Sequence, residues 1–158
     1  MAPVNFGVRE HPIPLSDSPD LVLECLRAHL DAENSHDLAA IMATYVSSPR
    51  VTINGQTFSG YEAVLKFHAR FGFGGDGSFS EVNVVERVRH RFDISIVLEQ
   101  SLSGVHTRRW QGHEATGRRF EIPVCTVYTF SAQGKLASED GYFDRAQIEQ
   151  QLGFANAP

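Results

Sequence analysis

The residues of this chain that could do chemistry are scattered along it. Seven histidines stand at positions 11, 29, 36, 68, 90, 106 and 113, and no two of them fall at i, i+3 or i+4. Cys25 and Cys125 lie far apart, each without a close partner. Metal sites built on local spacing need such pairs. The expectation is therefore no metal site, with both cysteines free thiols as in a reducing compartment. Single polar residues stand out instead. His68 lies beside Phe67 and before Phe71 on an apolar helical stripe, where a histidine is either a hydrogen-bonded core residue or a group turned to a ligand. Tyr45 and Asn54 carry a hydroxyl and an amide that serve either a pocket or a local turn. Asp144, ahead of a short helix, reads as its N-cap.

The elements that must position these residues follow from periodicity. Ser18-Pro19-Asp20 has the form of a helix start, with Val22, Leu26 and Leu30 following at helical spacing. Ser35-His36-Asp37 opens a second helix, whose face is Leu38, Ile41, Met42 and Tyr45 and whose stop is Ser47-Ser48-Pro49. Residues 50–54 and 56–58 read as a short hairpin. A third helix begins at Ser59-Gly60 and carries Val64, Phe67, His68 and Phe71. Gly72 to Gly77 is a loop; it neither follows a strand nor opens a helix, so it is no phosphate cradle. Strands are expected near 79–89, 91–106, 118–130 and 135–143, then a helix from Arg145 to Leu152 ended by Gly153.

Helices first and long strands last predict an α+β fold: a cone-shaped, curved antiparallel sheet packed against about three helices around a central pocket. The 158 residues fit one domain at 18–158, with residues 1–17, rich in proline, as an extended arm. Hydrophobic residues at 42% suffice for a real core. The net charge of −5 argues against nucleic acid. Arg87, Arg89 and Arg91, and the pairs Arg108-Arg109 and Arg118-Arg119, read as solvated or interface groups. No apolar run has the length of a signal peptide or a membrane span, so no membrane partner and a cytoplasmic location are expected.

Three groups of residues carry a family likeness. The first is Gly104-Val105-His106 with Trp110-Gln111-Gly112 and Thr116-Gly117-Arg118-Arg119-Phe120. The second is Gly134-Lys135-Leu136, and the third is Tyr142-Phe143-Asp144 with Gln150-Gln151-Leu152-Gly153. Together they resemble the SnoaL-like family of the nuclear-transport-factor-2-like (cystatin-like) superfamily, over about residues 20–153. The resemblance implies a pocket for a small apolar molecule and chemistry without cofactor or metal. It also implies a homodimer through the outer face of the sheet, with Tyr142 and the arginine-bearing strand at the contact. The fold hosts cyclases, isomerases, epoxide hydrolases and non-catalytic binding domains, so fold alone does not assign an activity.

The family's polyketide cyclases use a pocket carboxylate as general acid/base. The resemblance puts their catalytic aspartate at Gly141 and its partner histidine at Thr126, so both groups are replaced. On the same reading Ala137, Glu139 and Phe143 share the pocket face with Gly141, and Asp140 and Tyr142 point away. Val124, Thr126 and Tyr128 line the pocket from the next strand. Glu139 is then the candidate acid/base, its pKa raised by burial toward neutrality; otherwise it is a structural glutamate paired with an arginine or set at a dimer face. A register slip of one residue exchanges Glu139 for Asp140. His106 holds the family's Gly-x-His position and either meets a ligand carbonyl, as donor or acid/base, or braces the loop from Thr107 to Gly117. Two functions follow as expectations. One is an isomerase, cyclase or hydrolase of an apolar carbonyl compound or epoxide. The other is a non-catalytic binding domain.

Overall fold

Capping side chains set where the helices begin. In the computed structural model, which describes residues 20–154, the Asp20 carboxylate accepts from the Leu23 amide and opens α1 (Leu21–Asn34). Asp37 does the same for α2 (Leu38–Thr44) and Asp144 for α4 (Arg145–Leu152). Ser18 and Pro19, expected to share the first cap, lie outside the described residues, as do the arm at 1–17 and the last four residues. α3 (Tyr61–Phe71) starts after Gly60.

Six strands form one sheet in the order β2-β1-β6-β5-β4-β3. They are β1 (Tyr45–Ile53), β2 (Gln56–Ser59), β3 (Phe79–Phe92), β4 (Ser95–His106), β5 (Arg119–Phe130) and β6 (Leu136–Tyr142). The sheet is mixed, not purely antiparallel, because β1 runs parallel to β6. After the β1–β2 hairpin the chain crosses in α3 to the far edge. The meander from β3 to β6 then returns it beside β1 in the direction of β1.

Three local expectations are corrected. Tyr45 belongs to β1, not to the α2 stripe, because it pairs with Leu136 and takes an extended backbone. Pro49 therefore sits inside a strand instead of ending a helix. It falls where the β1–β6 ladder shifts register between Tyr45 and Arg50, so its missing N–H costs no ladder bond there. The β3–β4 turn lies at Asp93-Ile94, where Asp93 has φ 54°, and not near His90. In β6 a register shift between Thr129↔Ser138 and Phe130↔Leu136 breaks the alternation: Leu136 is buried in place of Ala137.

Period-two burial along β4 (Ile96, Leu98, Gln100, Leu102) and β5 (Phe120, Ile122, Thr126, Tyr128) marks the face that meets the helices. The buried stripe of α1 is Val22, Leu26, His29 and Glu33, so two of its core-facing positions are ionisable. α3 adds Val64 and His68. Cys25 and Cys125 are not bonded to each other. Among the described residues no helix is long and apolar enough to cross a membrane.

Gly72 ends α3 with φ +140° and packs so tightly that a Cβ would strike the Phe79 carbonyl. Both strain and collision act on backbone that cannot yield cheaply. Gly72→Ala is expected to cost more than about 2 kcal/mol in chemical denaturation. An unchanged midpoint would contradict this packing.

Candidate functional site

Between α3 and the sheet lies a cavity of about 570 Å³. Its walls are mostly aromatic and aliphatic, among them Phe58, Phe67, Phe71, Phe73, Leu102, Trp110 and Val124. Exposed Lys66, Arg70 and Arg145 also border it. The polar lining includes Glu33, Gln100, Thr126, Tyr128 and Glu139, with Gly141 beside them. Glu139 faces inward, while Asp140 points outward and pairs with Arg50 at 3.0 Å.

A buried cluster sits at the Glu139 end. The Tyr45 hydroxyl donates to Glu139 Oε2 at 2.7 Å. His29 Nε2 lies 3.8 Å from the same oxygen and 3.5 Å from Glu33 Oε1. His68 Nε2 is 3.8 Å from both Glu33 Oε1 and Glu139 Oε2. The other nitrogen of each ring is already committed. His68 Nδ1 donates to the Val64 carbonyl at 2.9 Å. His29 Nδ1 donates to Thr44 Oγ1 at 2.9 Å, because the Thr44 proton goes to the Ile41 carbonyl. Both rings thus present Nε2 to the same two carboxylates, and neither Nε2 has a hydrogen-bond partner.

The charges are mutually dependent. Burial disfavours a charged His29, yet Glu33 and Glu139 outweigh it and raise its pKa to about 10. Burial also opposes a charged Glu139, but His29, His68 and the Tyr45 hydroxyl together hold its carboxyl below the ordinary range. The expected rise in the Glu139 pKa is therefore reversed: burial alone would lift it, and the imidazoles beside it prevail. Tyr45 and Tyr128 are pushed well above their usual value by burial and by Glu139.

The other singled-out residues divide by place. Phe71, Val124, Thr126, Tyr128 and Gly141 line the cavity. Asn54 borders it, but its amide is spent on both backbone groups of Phe143, at 2.9 and 3.0 Å. Tyr45 and His68 stand behind the lining carboxylates. His106 lies elsewhere. Its Nδ1 accepts from the Thr116 amide at 3.3 Å and its ring packs against Phe79 and Phe154, bracing the loop after β4. Burial lowers its pKa.

His29, Glu33 and Gln100 were not foreseen. His29-x-x-x-Glu33 is an i,i+4 pair on a buried helix stripe, a signal that a search for histidine pairs alone passes over. Gln100 Nε2 donates to Thr126 Oγ1 at 2.8 Å and Tyr128 Oη at 3.2 Å. The expectation of no metal site rested on histidine spacing. The fold brings one ligand atom from each of His29, Glu33, His68 and Glu139 within 4.8 Å of the others.

The profile of the SnoaL-like domain matches residues 26–139. No curated protein matches the chain in sequence. Among solved structures, a Jannaschia protein that is called a SnoaL-like polyketide cyclase by likeness alone is 17% identical, with a TM-score of 0.75, covering 89% of this chain and 99% of that one. A protein of ketosteroid isomerase-like fold from Catenulispora acidiphila, in complex with trimethylamine, is 17% identical at TM-score 0.69, covering 84% and 94%. The epoxide hydrolase/cyclase-like enzyme SalBIII, of pyran ring formation in salinomycin, is 13% identical at TM-score 0.65, covering 79% and 92%. At these identities the likeness is one of fold.

In protein treated with a chelator, the cluster makes stability depend on pH. The raised pKa of His29 gives a contribution that is complete below its ordinary value of 6.5 and is lost as pH climbs to about 10. The lowered pKa of Glu139 gives one that is complete above 4.5 and lost as pH falls below it. Thermal unfolding should decline across the alkaline window in wild type, and His29→Gln should flatten that decline. Equal alkaline slopes would contradict the pairing.

Proposed function

The chain belongs to the family of SnoaL-like domains, and we propose that it is an acid–base enzyme for a small apolar carbonyl compound or epoxide bound over Glu139. One observation carries this reading: a buried carboxylate opens onto an apolar cavity, held there by Tyr45. Contacts to Tyr45, His29 and His68 run through Oε2, which leaves Oε1 as the oxygen toward a ligand. Held ionised, Glu139 acts as the base. It takes a proton from carbon next to a carbonyl, or from a water that attacks an epoxide. Tyr128 Oη accepts from Gln100, so its own proton is available to the oxygen that gains charge.

Thr126 and Gly141, where the family's cyclases are expected to carry their acid/base pair, face each other across β5 and β6. The next pair on the same face is Tyr128 and Glu139. The carboxylate has thus moved two residues along one strand, about 7 Å. Gly141 has no side chain where the aspartate would stand; a Cβ there would have to displace the tip of the Ile53 side chain, 2.9 Å away, and would touch Thr126 Oγ1 at 3.9 Å. The shared fold with SalBIII, an epoxide hydrolase/cyclase-like enzyme, supports the epoxide arm of this reading.

A homodimer through the outer sheet face belongs to the same proposal. Tyr142, Cys125, Glu99 and Val88 lie in one row across four strands, on the face away from the cavity. Exposed Val85 and Val88 add apolar area there.

Glu139→Gln should lower turnover at least about 100-fold in a screen of apolar carbonyl and epoxide substrates, with the fold kept by circular dichroism. Turnover equal to wild type would end the catalytic reading. Ligand binding without turnover in wild type would leave the non-catalytic domain. Val88→Asp with Tyr142→Asp should give monomers in sedimentation; a wild-type chain already monomeric at micromolar concentration would refute the dimer.

A further inference from the structure

Four buried side chains, from α1, α3 and β6, aim one atom each at a common point. They are His29 Nε2, Glu33 Oε1, His68 Nε2 and Glu139 Oε2. We infer that this cluster is a binding site for one divalent transition-metal ion, with Zn2+ the best fit.

The distances suit an ion. Each imidazole–carboxylate separation is 3.5 or 3.8 Å, too long for a hydrogen bond. A tetrahedral ion with ligands near 2.1 Å needs edges of about 3.4 Å. Shifts of a few tenths of an ångström bring those four edges to that length, and the longest separation, bounded at 4.8 Å, has to contract further. A flat square with the observed edges of 3.5 to 3.8 Å would have diagonals of about 5.3 Å, beyond the 4.8 Å that bounds the set. The arrangement is therefore tetrahedral in outline.

The tautomers suit an ion as well. Thr44 Oγ1 and the Val64 carbonyl each hold an Nδ1–H, which turns Nε2 of both rings to the centre, where an ion would replace the His29 proton. Metal-binding histidines are oriented by such outer hydrogen bonds. Tyr45 plays the equivalent part for Glu139 by donating to Oε2. Both Nε2 atoms are fully buried and without a partner, an arrangement that asks for something between them. Two carboxylates, two neutral imidazoles and one divalent ion sum to zero charge. That answers the cost of burying the carboxylates. Mixed nitrogen and oxygen donors favour zinc and its neighbours over magnesium or calcium.

This goes beyond the acid–base reading and does not depend on it. Glu139 binds through Oε2 and keeps Oε1 for the cavity, and the ion takes the place of a proton among the four groups.

The test uses chelator-treated full-length protein titrated with Zn2+ by calorimetry and with Co2+ by visible absorption. One ion per chain is expected, with the intense bands of four-coordinate Co2+. His68→Ala and Glu33→Gln should each weaken binding at least about 100-fold. Thr44→Val, which leaves the ligands in place but frees the His29 ring, should weaken it by about 10-fold. It serves if a ligand variant does not fold. No binding by wild type, or six-coordinate Co2+ spectra, overturns the inference. So does binding that survives in every variant, which would place the ion elsewhere. If the ion fails to bind, turnover by Glu139→Gln in chelator-treated protein still tests the catalytic reading independently.

Discussion

Two carboxylates cannot be buried side by side unless something nearby neutralises them, and much of this fold answers that requirement. Glu33 and Glu139 lie in the same buried region, 2% and 8% exposed. An isolated charged carboxylate is costly to bury. Here two imidazoles and a phenol surround them, from α1, α3 and the start of β1. Tyr45 has to be drawn out of α2 and into β1 to reach Glu139, and its pairing with Leu136 at the head of β6 does so. The register shift in β6 then turns Glu139 inward while keeping Leu136 in the core.

The same requirement explains what could be read from the sequence and what could not. Element types and most boundaries are local: apolar period, caps and turn residues state them directly, as Asp37, Asp144 and Gly153 illustrate. The inward direction of Glu139, and of Val124, Thr126 and Tyr128, was legible once strand alternation was anchored by the family's motif. The company Glu139 keeps was not. Its partners are 94 positions away at Tyr45 and farther at His29, and no local pattern encodes such a meeting. The pKa expectation failed for that reason: burial is visible in a sequence, but the neighbour that offsets it is not. The β1–β6 parallel pairing escaped notice likewise, because a parallel partner lies across a long crossover.

His106 illustrates the opposite case. Its motif position drew attention to it, yet the ring is used to brace the loop between β4 and β5 through Thr116. That loop brings Trp110 to the cavity wall. The ring thus lies with the loop after β4, while His29 and Glu33 on α1 are the groups that face Glu139 or its neighbour His68.

The cluster joins the first helix of the described chain to its last strand, and this bears on how the molecule comes into being. Closing so large a loop is entropically slow. Until β6 docks between β1 and β5, α1 holds His29 and Glu33 as a simple helical pair with no second carboxylate to meet. The four side chains meet only where β6 lies between β1 and β5, so the cluster stands or falls with the pairing that completes the six-stranded sheet.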